Sequence, residues 1–572
     1  TNGIDLDGEG GMVWIKERNT SGSDNHVSDT ERGIKNPIQT DSTAAENSYY
    51  FNNNLGITSF NNNGFTVASG SNFNDAGDTT VSWTFRKAEK FFDVVTWTGD
   101  GAAGPFTLPH NLGATVGMSV VKVTSHSGDW ITNHRSLPSN YLALNSTAAA
   151  QTDVTMTSTD STITFNGSNV YYNFSGRTYV AYLFASDAGG FGDDGDESII
   201  KCGSVSTGAG AIADVSLGWE PQWVLVKTVS ESGVWYLIDS MRGFVTYGTS
   251  GSKTFFANST NGEMDVSNFG PTADGFKFQY GSGSGTDLIY IAIRRPMKTP
   301  ESGTEVFAVD TPDSTSPPKY RSAFPVDMAW YRGNINSGSS PEIANRLTGT
   351  KYLSPTSTAA EANQNGHKWD FQNGWYNDQG TETNNRSWMF KRATGFFDVV
   401  AYTGNSTAGH EIKHNLGVAP EFIIQKVRNN TTSSWYIYHK DLNVNGDGLA
   451  ETDTMRLHTD SAAFDYPVWN DTAPTSTAFY LGGGLYYNAT GYNYIAYLFA
   501  TLAGVSKVGS YTGTGADLNV DCGFSAGARF ILIKRTDTTG NWFYWDYERG
   551  ITAGNDPYLL LNSTVAQVTN TD

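Results

Sequence analysis

The chain repeats itself, and this duplication constrains its fold more than any other feature of the sequence. The segment YVAYLFA (179–185) returns as YIAYLFA (494–500), and FFDVVTWTG (91–99) returns as FFDVVAYTG (396–404). The tetrapeptide HNLG also occurs once in each half. Self-similarity of this kind predicts an array of like modules.

Each half divides further into three related modules. A module contains a short apolar run that ends in a basic residue and, in four copies, a polar loop followed by a tryptophan. A turn rich in Ser and Thr comes next, and complete modules close on an aromatic strand such as VSWTFRK (81–87). Roughly 100 residues is a common size for one β-sandwich. We therefore predict modules A (1–89), B (90–198), C (199–303), A′ (304–393), B′ (394–503) and C′ (504–572).

The first and last modules differ from the others. Module A lacks the opening strand that the other modules carry, and module C′ stops shortly after its NST turn. We expect both modules to be incomplete and the chain to be a window on a longer polypeptide.

The strand pattern predicts an all-β fold. Apolar and polar residues alternate in VSWTFRK, which is typical of a half-buried antiparallel strand. YVAYLFA is apolar on both faces, as in a central strand that is covered on both sides. FILIK (530–534), a polar loop and WFYWD (542–546) are typical of a hairpin. We predict a tandem array of about six self-contained antiparallel β-sandwiches with jelly-roll character, including an opening YTGTG strand in module C′.

Composition narrows the class of function. Charged residues make up 16% of the chain and aromatic residues 13%, and the formal net charge is −20. Binding of a phosphate backbone needs a clustered positive field, so we expect no nucleic-acid partner. No apolar run approaches the roughly 18 residues that span a bilayer, so we expect no membrane insertion. The two cysteines, Cys202 and Cys522, provide no disulfide framework, and we interpret them as lone buried thiols.

The sharpest motif shared by several modules is D-x-x-R-G. A carboxylate and a guanidinium three residues apart, ahead of a turn glycine, can form a bidentate pair that pins the end of a strand. An alternative function is to grip sugar hydroxyls. The B modules carry His134 and His439 at this place, which favours a scaffold role. The three motifs are Asp29/Arg32/Gly33, Asp239/Arg242/Gly243 and Asp546/Arg549/Gly550.

A tryptophan recurs at one place per module, directly after the polar loop. A recurrent tryptophan usually belongs to the core, because its large apolar area dominates packing. The alternative is a rim position where the indole contacts a sugar or a neighbouring module. The four residues that we carry as candidate ligand-binding positions are Trp130, Trp235, Trp435 and Trp542.

Four carboxylates lie among glycines at the junction of modules B and C: Asp193, Asp194, Asp196 and Glu197. Carboxylates this close in sequence can hold a hard cation such as Ca²⁺, whose ligands are oxygens. The second half bridges the same junction with TLAGVSKVGS, which lacks these acids. An acidic solvated linker is therefore the alternative, and Ca²⁺ is the one cofactor that we consider.

We predict that the chain is not an enzyme. His110 and His414, in the two HNLG segments, invite a catalytic role, but a general base needs a partner and a nucleophile at a defined place. No nucleophile elbow, HExxH helix or CxxC pair accompanies them. The clustered E-x-D-x-x-E carboxylates of concanavalin-like glucanases do not occur either. A turn histidine ahead of a strand is the favoured interpretation.

Several segments carry a family resemblance. GMVWIKER, DTERG, DSTAAE, SWTFRK, FFDVVTWTG, HNLG and YVAYLFA resemble the tandem repeats of large bacteriophage virion proteins, particularly marine ones. These are often described as tail fibre-like or structural proteins. The resemblance covers nearly the whole chain, implies a sandwich of the laminin G and concanavalin A group, and offers no catalytic residues.

The resemblance implies a virion structural protein, either a tail fibre or an appendage subunit. We expect it to be exposed on the virion, or extracellular, and involved in attachment to the host surface. The expected partners are other virion proteins, copies of the chain itself and host surface glycans. The alternatives are a carbohydrate-binding adhesin, in which several weak sites bring avidity, and a capsid decoration or filament protein.

Overall fold

The computed structural model describes residues 2–34, 36–46, 53, 55–69, 73–192, 194–208, 210–281, 286–296, 298–313, 317–379, 383–551 and 556–569. Their helices are four single 3-10 turns: η1 (Asn169–Tyr171), η2 (Gly303–Glu305), η3 (Arg346–Thr348) and η4 (Ala450–Thr452). All other regular elements in the described ranges are strands, and their pairs are antiparallel. The prediction of an all-β fold is therefore confirmed. The described residues contain no helix long and apolar enough to cross a membrane.

The first half contains three groups of strands. Module A has β1 (Gly11–Glu17), β2 (His26–Asp29), β3 (Ile38–Gln39), β4 (Ile57–Asn61), β5 (Gly64–Val67) and β6 (Thr80–Arg86). Module B has β7 (Phe92–Thr98), β8 (Phe106–Pro109), β9 (Val116–Val123), β10 (Trp130–His134), β11 (Tyr141–Ala143), β12 (Val154–Ser158), β13 (Thr162–Gly167) and β14 (Thr178–Ala185). Module C has β15 (Ile200–Thr207), β16 (Ala213–Ser216), β17 (Pro221–Thr228), β18 (Trp235–Asp239), β19 (Ser252–Phe256), β20 (Met264–Val266), β21 (Phe269–Thr272), β22 (Gly275–Phe278) and β23 (Thr286–Arg294).

The second half also contains three groups of strands. Module A′ has β24 (Phe307–Asp310), β25 (Tyr320–Arg321), β26 (Met328–Arg332), β27 (Pro341–Asn345), β28 (Lys351–Leu353), β29 (Ala362–Asn363), β30 (Gly374–Trp375) and β31 (Arg386–Phe390). Module B′ has β32 (Phe397–Thr403), β33 (His410–Lys413), β34 (Phe422–Val427), β35 (Tyr436–His439), β36 (Asp453–Arg456), β37 (Phe464–Asp465), β38 (Ala478–Leu481) and β39 (Asn493–Phe499). Module C′ has β40 (Phe530–Lys534), β41 (Trp542–Asp546) and β42 (Leu559–Leu560).

A larger sheet and a smaller one recur in the modules. In module C the larger sheet has the order β15-β23-β17-β18-β19-β20, and the smaller one has the order β16-β22-β21. The larger sheets of A′ and B′ follow the same plan, with β24-β31-β26-β27-β28-β29 and β32-β39-β34-β35-β36-β37. We call β7, β15, β24 and β32 the opening strands. We call β6, β14, β23, β31 and β39 the closing strands.

The larger sheets are buried on both faces. In β17, Val224 packs into the core between the two sheets of module C, whereas the adjacent Leu225 packs on the other face. That other face meets residues of modules A and B, including Trp83 and Tyr182, in one shared core. The second half has an equivalent shared core that contains Trp388, Tyr497 and Tyr544. We call A, B and C the first triad, and A′, B′ and C′ the second triad.

The modules are therefore not self-contained, and that prediction is wrong. A strand that is apolar on both faces needs cover on both faces. In modules A′, B′ and C a smaller sheet covers one face of the larger sheet, and neighbouring modules of the triad cover the other. Burial of one large apolar side chain stabilises by about 1.5–3 kcal/mol. The shared core therefore binds the three modules of a triad into one folding unit.

The predicted opening strand of module C′ is not observed. Residues 507–529 contain no strand, and most of them are exposed. The opening strands of the other modules pair with their closing strands, for example β15 with β23. Module C′ has no closing strand among the described residues, so the YTGTG segment lacks the main-chain partner that would order it as a strand.

Candidate functional site

The three Asp–Arg pairs of the D-x-x-R-G motif form at the ends of β2, β18 and β41. In each pair the arginine Nε and main-chain N–H both donate to the same carboxylate. A glycine with positive φ follows, at 86°, 139° and 101° for Gly33, Gly243 and Gly550. The Nε–Oδ2 distances are 2.7 Å for Arg32–Asp29, 2.5 Å for Arg242–Asp239 and 2.6 Å for Arg549–Asp546. The geometry is a bidentate clamp that holds the turn after the strand.

Each clamp also binds the closing strand of another module. The Tyr182 hydroxyl of β14 donates to Oδ2 of Asp29 at 2.7 Å. The Trp83 Nε1 of β6 donates to Oδ2 of Asp239 at 2.9 Å, and Trp388 of β31 donates to Asp546 at 3.0 Å. These bonds join B to A, A to C and A′ to C′.

Electrostatics favour the charged form of the Asp239–Arg242 clamp and the neutral form of Tyr182, which binds the Asp29–Arg32 clamp. Burial opposes ionisation of Asp239, but Arg242 and the hydrogen bonds from Arg242 and Trp83 hold the pKa of this carboxyl below its ordinary value of 3.8. Burial raises the pKa of Tyr182 well above 10, so its hydroxyl keeps the proton that it donates to Asp29. We call these contacts between modules joints. Each of the three joints formed by a clamp contains a buried carboxylate with both a cation and a neutral donor.

In module B a histidine replaces the Asp–Arg pair. His134 Nε2 lies 3.1 Å from the Tyr290 carbonyl of β23, and the main-chain N–H of Ser136 donates to Nδ1 at 3.1 Å. The two contacts together require a neutral ring with the proton on Nε2. Burial lowers the pKa of His134 to about 4, which favours this neutral form. The histidine thus performs the joint role between C and B that the clamp performs elsewhere.

The joints of the first triad form a closed cycle. The closing strand of B contacts A, that of A contacts C, and that of C contacts B. In the second triad, Asn345 stands at the position of Asp29 and donates to the Tyr497 hydroxyl at 3.0 Å. His439 stands at the position of His134, and its Nδ1 accepts the main-chain N–H of Asp441 at 3.1 Å.

The four recurrent tryptophans reinforce the same joints. Their exposed fractions are 1%, 1%, 0% and 2% for Trp130, Trp235, Trp435 and Trp542. Each indole N–H donates to a main-chain carbonyl of the preceding module: Gln39 at 2.8 Å, Ala143 at 3.0 Å, Ser357 at 3.0 Å and Arg456 at 3.2 Å. The faces of these rings are covered by protein, so the predicted sugar-stacking role does not fit them. The same hypothesis also included contact with a neighbouring module, and the four tryptophans make that contact.

The basic residue that ends each central apolar run is a further joint residue, and its role was missed in the sequence. The Nζ of Lys122 donates to the Thr43 carbonyl at 2.9 Å, and that of Lys426 donates to the Thr358 carbonyl at 3.0 Å. Lys227 reaches Thr147 in the same way at 3.3 Å. Each of these carbonyls lies in the Ser/Thr-rich turn of the preceding module. Burial lowers the pKa of Lys122, Lys227 and Lys426 to about 8.

A lysine of module A closes this second set of contacts. Lys16 Nζ donates to the Thr260 carbonyl in the turn of module C at 3.3 Å. The turn contacts therefore run in the same cycle as the clamps. A cavity of about 30 Å³ lies where the modules meet, lined by apolar groups that include Met12, Phe184 and Leu225. A space of this size and polarity suits packing rather than ligand binding.

A buried ionic cluster joins the two triads. Arg392 of A′ donates from Nη1 and Nη2 to the two carboxylate oxygens of Glu220 in C, at 2.7 and 2.6 Å. Its Nε also donates to Asp398 of B′ at 2.7 Å. Burial opposes ionisation of Asp398, but Arg392 and Arg295 lower its pKa below 3.8. The triads therefore meet through a buried, charged contact.

The acidic linker does not gather its carboxylates in the described structure. Asp193 lies outside the described residues, Asp194 and Asp196 are exposed, and Glu197 pairs with Arg294 at 3.1 Å. Within the ranges that the structure describes, three potential ligand atoms come within 4.8 Å of one another only at Glu17, Asp75 and Asp78. The Ca²⁺ site at the linker stays a prediction.

The HNLG histidines support turns. The main-chain N–H of Leu112 donates to His110 Nδ1, and that of Leu416 donates to His414 Nδ1, each at 3.2 Å. Burial lowers the pKa of both rings. Both histidines are 6% exposed, which agrees with the turn interpretation.

Two catalytic sequence patterns do occur, and neither has the required context. HEIKH (410–414) matches HExxH, but His410 lies on β33 and not on a helix. A strand rises about 3.3 Å per residue, so histidines four apart lie too far from each other to share a metal ion. GFSAG (523–527) matches GxSxG, but it lies in the strandless segment before β40 and forms no strand-to-helix elbow.

Comparison with known proteins identifies a family. A domain of unknown function, DUF7483, matches residues 3–296 and 324–572, and each match spans most of one triad. The duplication inferred from the sequence is therefore confirmed. No curated protein and no solved structure shows significant similarity to the chain. With two matched copies that together span most of its length, the chain belongs to the DUF7483 family.

Proposed function

We propose that the chain is a structural subunit of a bacteriophage virion, within a tail fibre or another exposed appendage that contributes to host attachment. The observation that carries the proposal is the use of the repeated polar residues. The clamps, the recurrent tryptophans and the buried lysines all bond one module to another. Residues that recur for chemistry on a ligand would instead project into a common cleft.

The architecture suits a mechanical role. Each triad is held by a shared apolar core and by joints between its modules, and the buried Arg392–Glu220 pair links one triad to the next. An elongated particle component needs units that resist bending and shear. Units joined by a buried, charged contact meet that need, because removal of one partner leaves a buried charge and costs about 3–5 kcal/mol.

The proposal is tested on particles. Phage from the source of this sequence would be purified on a density gradient, probed by peptide mass spectrometry and labelled with antibodies against the chain for electron microscopy. We expect peptides from both triads to follow the infectious peak and the label to decorate an external appendage. Peptides found only in the soluble lysate, with unlabelled particles, would contradict the proposal.

A carbohydrate-binding adhesin is the second candidate, favoured by one exposed loop. Leu485 and Tyr486 of module B′ are 73% and 47% exposed, and Val170 at the matching position of module B is 41% exposed. Aromatic and apolar groups at a loop tip can stack on sugar rings. A glycan array with the chain and with Tyr486→Ala tests this idea. The variant Trp435→Phe is the control, because the Trp435 ring is buried at a joint. If Tyr486→Ala binds glycans as well as the unsubstituted chain does, the loop is not the sugar-binding site.

A further inference from the structure

The last two strands of the larger sheet pair with each other in modules C, A′ and B′. In module C, Lys253 of β19 stands directly opposite Asp265 of β20, and the two side chains form an ion pair at 2.5 Å. In module A′, Lys351 of β28 stands opposite Asn363 and forms an ion pair with Glu361 at 2.8 Å. A lysine therefore supplies positive charge at this place in both modules.

Module B′ has two acids at the same place. The register with the strand that starts at the recurrent tryptophan puts Asp453 of β36 at the position of Lys253. Asp453 stands directly opposite Asp465 of β37. Like charges that face each other destabilise a pair of strands. Among the described residues, no basic side chain forms an ion pair with either carboxylate.

Asp453 is fully buried, with an exposed fraction of 0%. Its Oδ2 accepts the main-chain N–H of Val444 at 2.6 Å, whereas its Oδ1 has no hydrogen-bond partner. Burial raises the pKa of Asp453 above its ordinary value of 3.8, and the negative charges of Asp447 and Asp465 raise it further. Buried charges in proteins are normally paired or coordinate a metal ion. The position of Asp453 thus calls for a cation.

The loop that covers Asp453 carries further oxygen donors. In module B, residues 135–140 connect β10 to β11, whereas residues 440–452 connect β35 to β36 in module B′. The longer loop contains Asn443, Asn445 and Asp447 at alternate positions, and Gly448 follows them at φ 78°. Positions 1, 3, 5 and 6 of an EF-hand loop have this spacing, and their side-chain ligands are oxygens. The glutamate of position 12 is absent here, and the two strand acids stand in its place.

Hydrogen bonds hold this loop against the paired acids. The Nδ2 of Asn445 donates to Oδ2 of Asp465 at 2.8 Å, which leaves the amide oxygen of Asn445 for another contact. The main-chain N–H of Leu449 donates to Oδ1 of Asp447 at 2.9 Å. The three carboxylates as a set do not come within 4.8 Å of one another. A shared cation would therefore draw the exposed side chains of Asp447 and Asp465 inward.

We propose that Asp447, Asp453 and Asp465, with the amide oxygens of Asn443 and Asn445, bind one Ca²⁺ that fastens the 440–452 loop to the sheet of module B′. The ion takes the place of the lysine in modules C and A′. Ca²⁺ fits because it accepts six to eight oxygen ligands in a flexible geometry. This site goes beyond the proposed virion role and does not depend on it.

Hydrogen exchange with mass spectrometry tests the location of the site in the 572-residue chain. Exchange is compared in EDTA and in about 10 mM Ca²⁺, an excess over the dissociation constants of about 10⁻⁴–10⁻³ M of extracellular Ca²⁺ modules. We expect Ca²⁺ to slow exchange in peptides that cover 443–453 by about tenfold or more. The same concentration of Mg²⁺ controls for screening by a divalent ion. Exchange at 443–453 that ignores Ca²⁺, or that responds equally to Mg²⁺, would overturn the proposal.

Two variants test the ligands. Asp453→Lys recreates the ion pair that Lys253 makes with Asp265, so exchange at 443–453 should no longer respond to Ca²⁺. Asp447→Asn changes an exposed residue and should raise the Ca²⁺ concentration for half-maximal protection about tenfold, because affinity depends on the number of charged ligands. This second variant keeps the test decisive if Asp453→Lys does not fold.

The matched control is Asp194→Asn, which removes one exposed carboxylate from the acidic linker. It should leave the Ca²⁺ response of 443–453 unchanged. An equal effect of Asp194→Asn and Asp447→Asn would show that the net charge of the chain governs the response, and would overturn the site. A full response in folded Asp453→Lys would overturn it as well.

The two proposals fail separately. Particles that lack the chain would remove the virion role and leave the Ca²⁺ site intact. A loop that does not respond to Ca²⁺ would remove the site and leave the particle experiment unaffected.

Discussion

The indole nitrogen of Trp83 lies 2.9 Å from Oδ2 of Asp239, although the two residues are 156 positions apart in the chain. The same bond joins Trp388 to Asp546 at 3.0 Å in the second triad. Both carboxylates already pair with the arginine three residues later. The aromatic closing strand of one module therefore donates a further hydrogen bond to the Asp–Arg pair of another module. This contact links parts of the chain that are far apart in the sequence.

Loss of this indole donor should destabilise the first triad. The substitution Trp83→Phe keeps an aromatic ring but removes one hydrogen bond to the buried Asp239 carboxylate, which we expect to cost about 1–3 kcal/mol. The matched control is Trp223→Phe, because Trp223 lies in the same shared core and its Nε1 has no hydrogen-bond partner. The free energy of unfolding in urea measures the difference, and equal losses in the two variants would refute the role of the bond.

The Asp29–Arg32 clamp should behave as a coupled pair. Asp29→Asn keeps a polar side chain beside the Tyr182 hydroxyl, as Asn345 provides beside Tyr497, but it leaves the Arg32 guanidinium without its carboxylate. We expect a loss of about 3–5 kcal/mol in the free energy of unfolding. The double variant Asp29→Asn/Arg32→Leu should recover part of this loss. A double-mutant cycle with purely additive effects would show that the pair contributes no coupling.

Acid should weaken the joint between modules B and C. The pKa of His134 is about 4 in the folded protein, below its ordinary value of 6.5, because burial disfavours the charged ring. The unfolded chain thus binds this proton more readily. The stability from neutral His134 is complete above pH 6.5 and declines as pH falls toward 4, by at most about 3 kcal/mol. We expect His134→Gln to reduce the pH dependence of the urea midpoint across this interval.

The control for this pH experiment is His126→Gln, because His126 is exposed and lies outside the joint. Its pH profile should follow that of the unsubstituted chain. If His134→Gln retains the full pH dependence, the acid sensitivity resides in other groups.

The Arg392–Glu220 pair should hold the two triads together. We expect Arg392→Met to leave Glu220 and Asp398 as buried carboxylates without their main cation, and to expose the connection at 295–306 to proteases. The double variant Arg392→Met/Glu220→Gln should be less sensitive than the single one, since one of the unpaired charges is gone. Limited proteolysis followed by mass mapping of the cut sites measures this. Unchanged resistance of the single variant would count against the pair as the link.

Local patterns in the sequence were sufficient to predict several of the strands. YVAYLFA became β14, which is buried on both faces apart from its first residue. VSWTFRK became β6, in which Trp83 and Phe85 are buried and Ser82 and Arg86 are exposed. FILIK and WFYWD pair as the predicted hairpin. Each of these patterns depends only on residues within one or two strands.

The joints depend on contacts that no local pattern contains. The Asp–Arg pairs were predictable from spacing, but the partners of Asp29 and Asp239, Tyr182 and Trp83, lie in other modules. One signal was available: a strand that is apolar on both faces requires a second covering surface, and a single small sandwich supplies only one. The recurrent basic residue after each apolar run was a second signal, because an isolated buried lysine needs acceptors from elsewhere.

The cyclic order of the joints has a consequence for how such chains change length. Lys16 bonds back to the turn that holds Thr260, so the third module completes what the first one starts. Deletion or insertion of one module would leave a buried lysine without its acceptor at one contact between modules. At the next contact it would leave the turn carbonyls without their donor. Related chains that fold should therefore gain or lose three modules at a time. Their lengths should differ by whole triads.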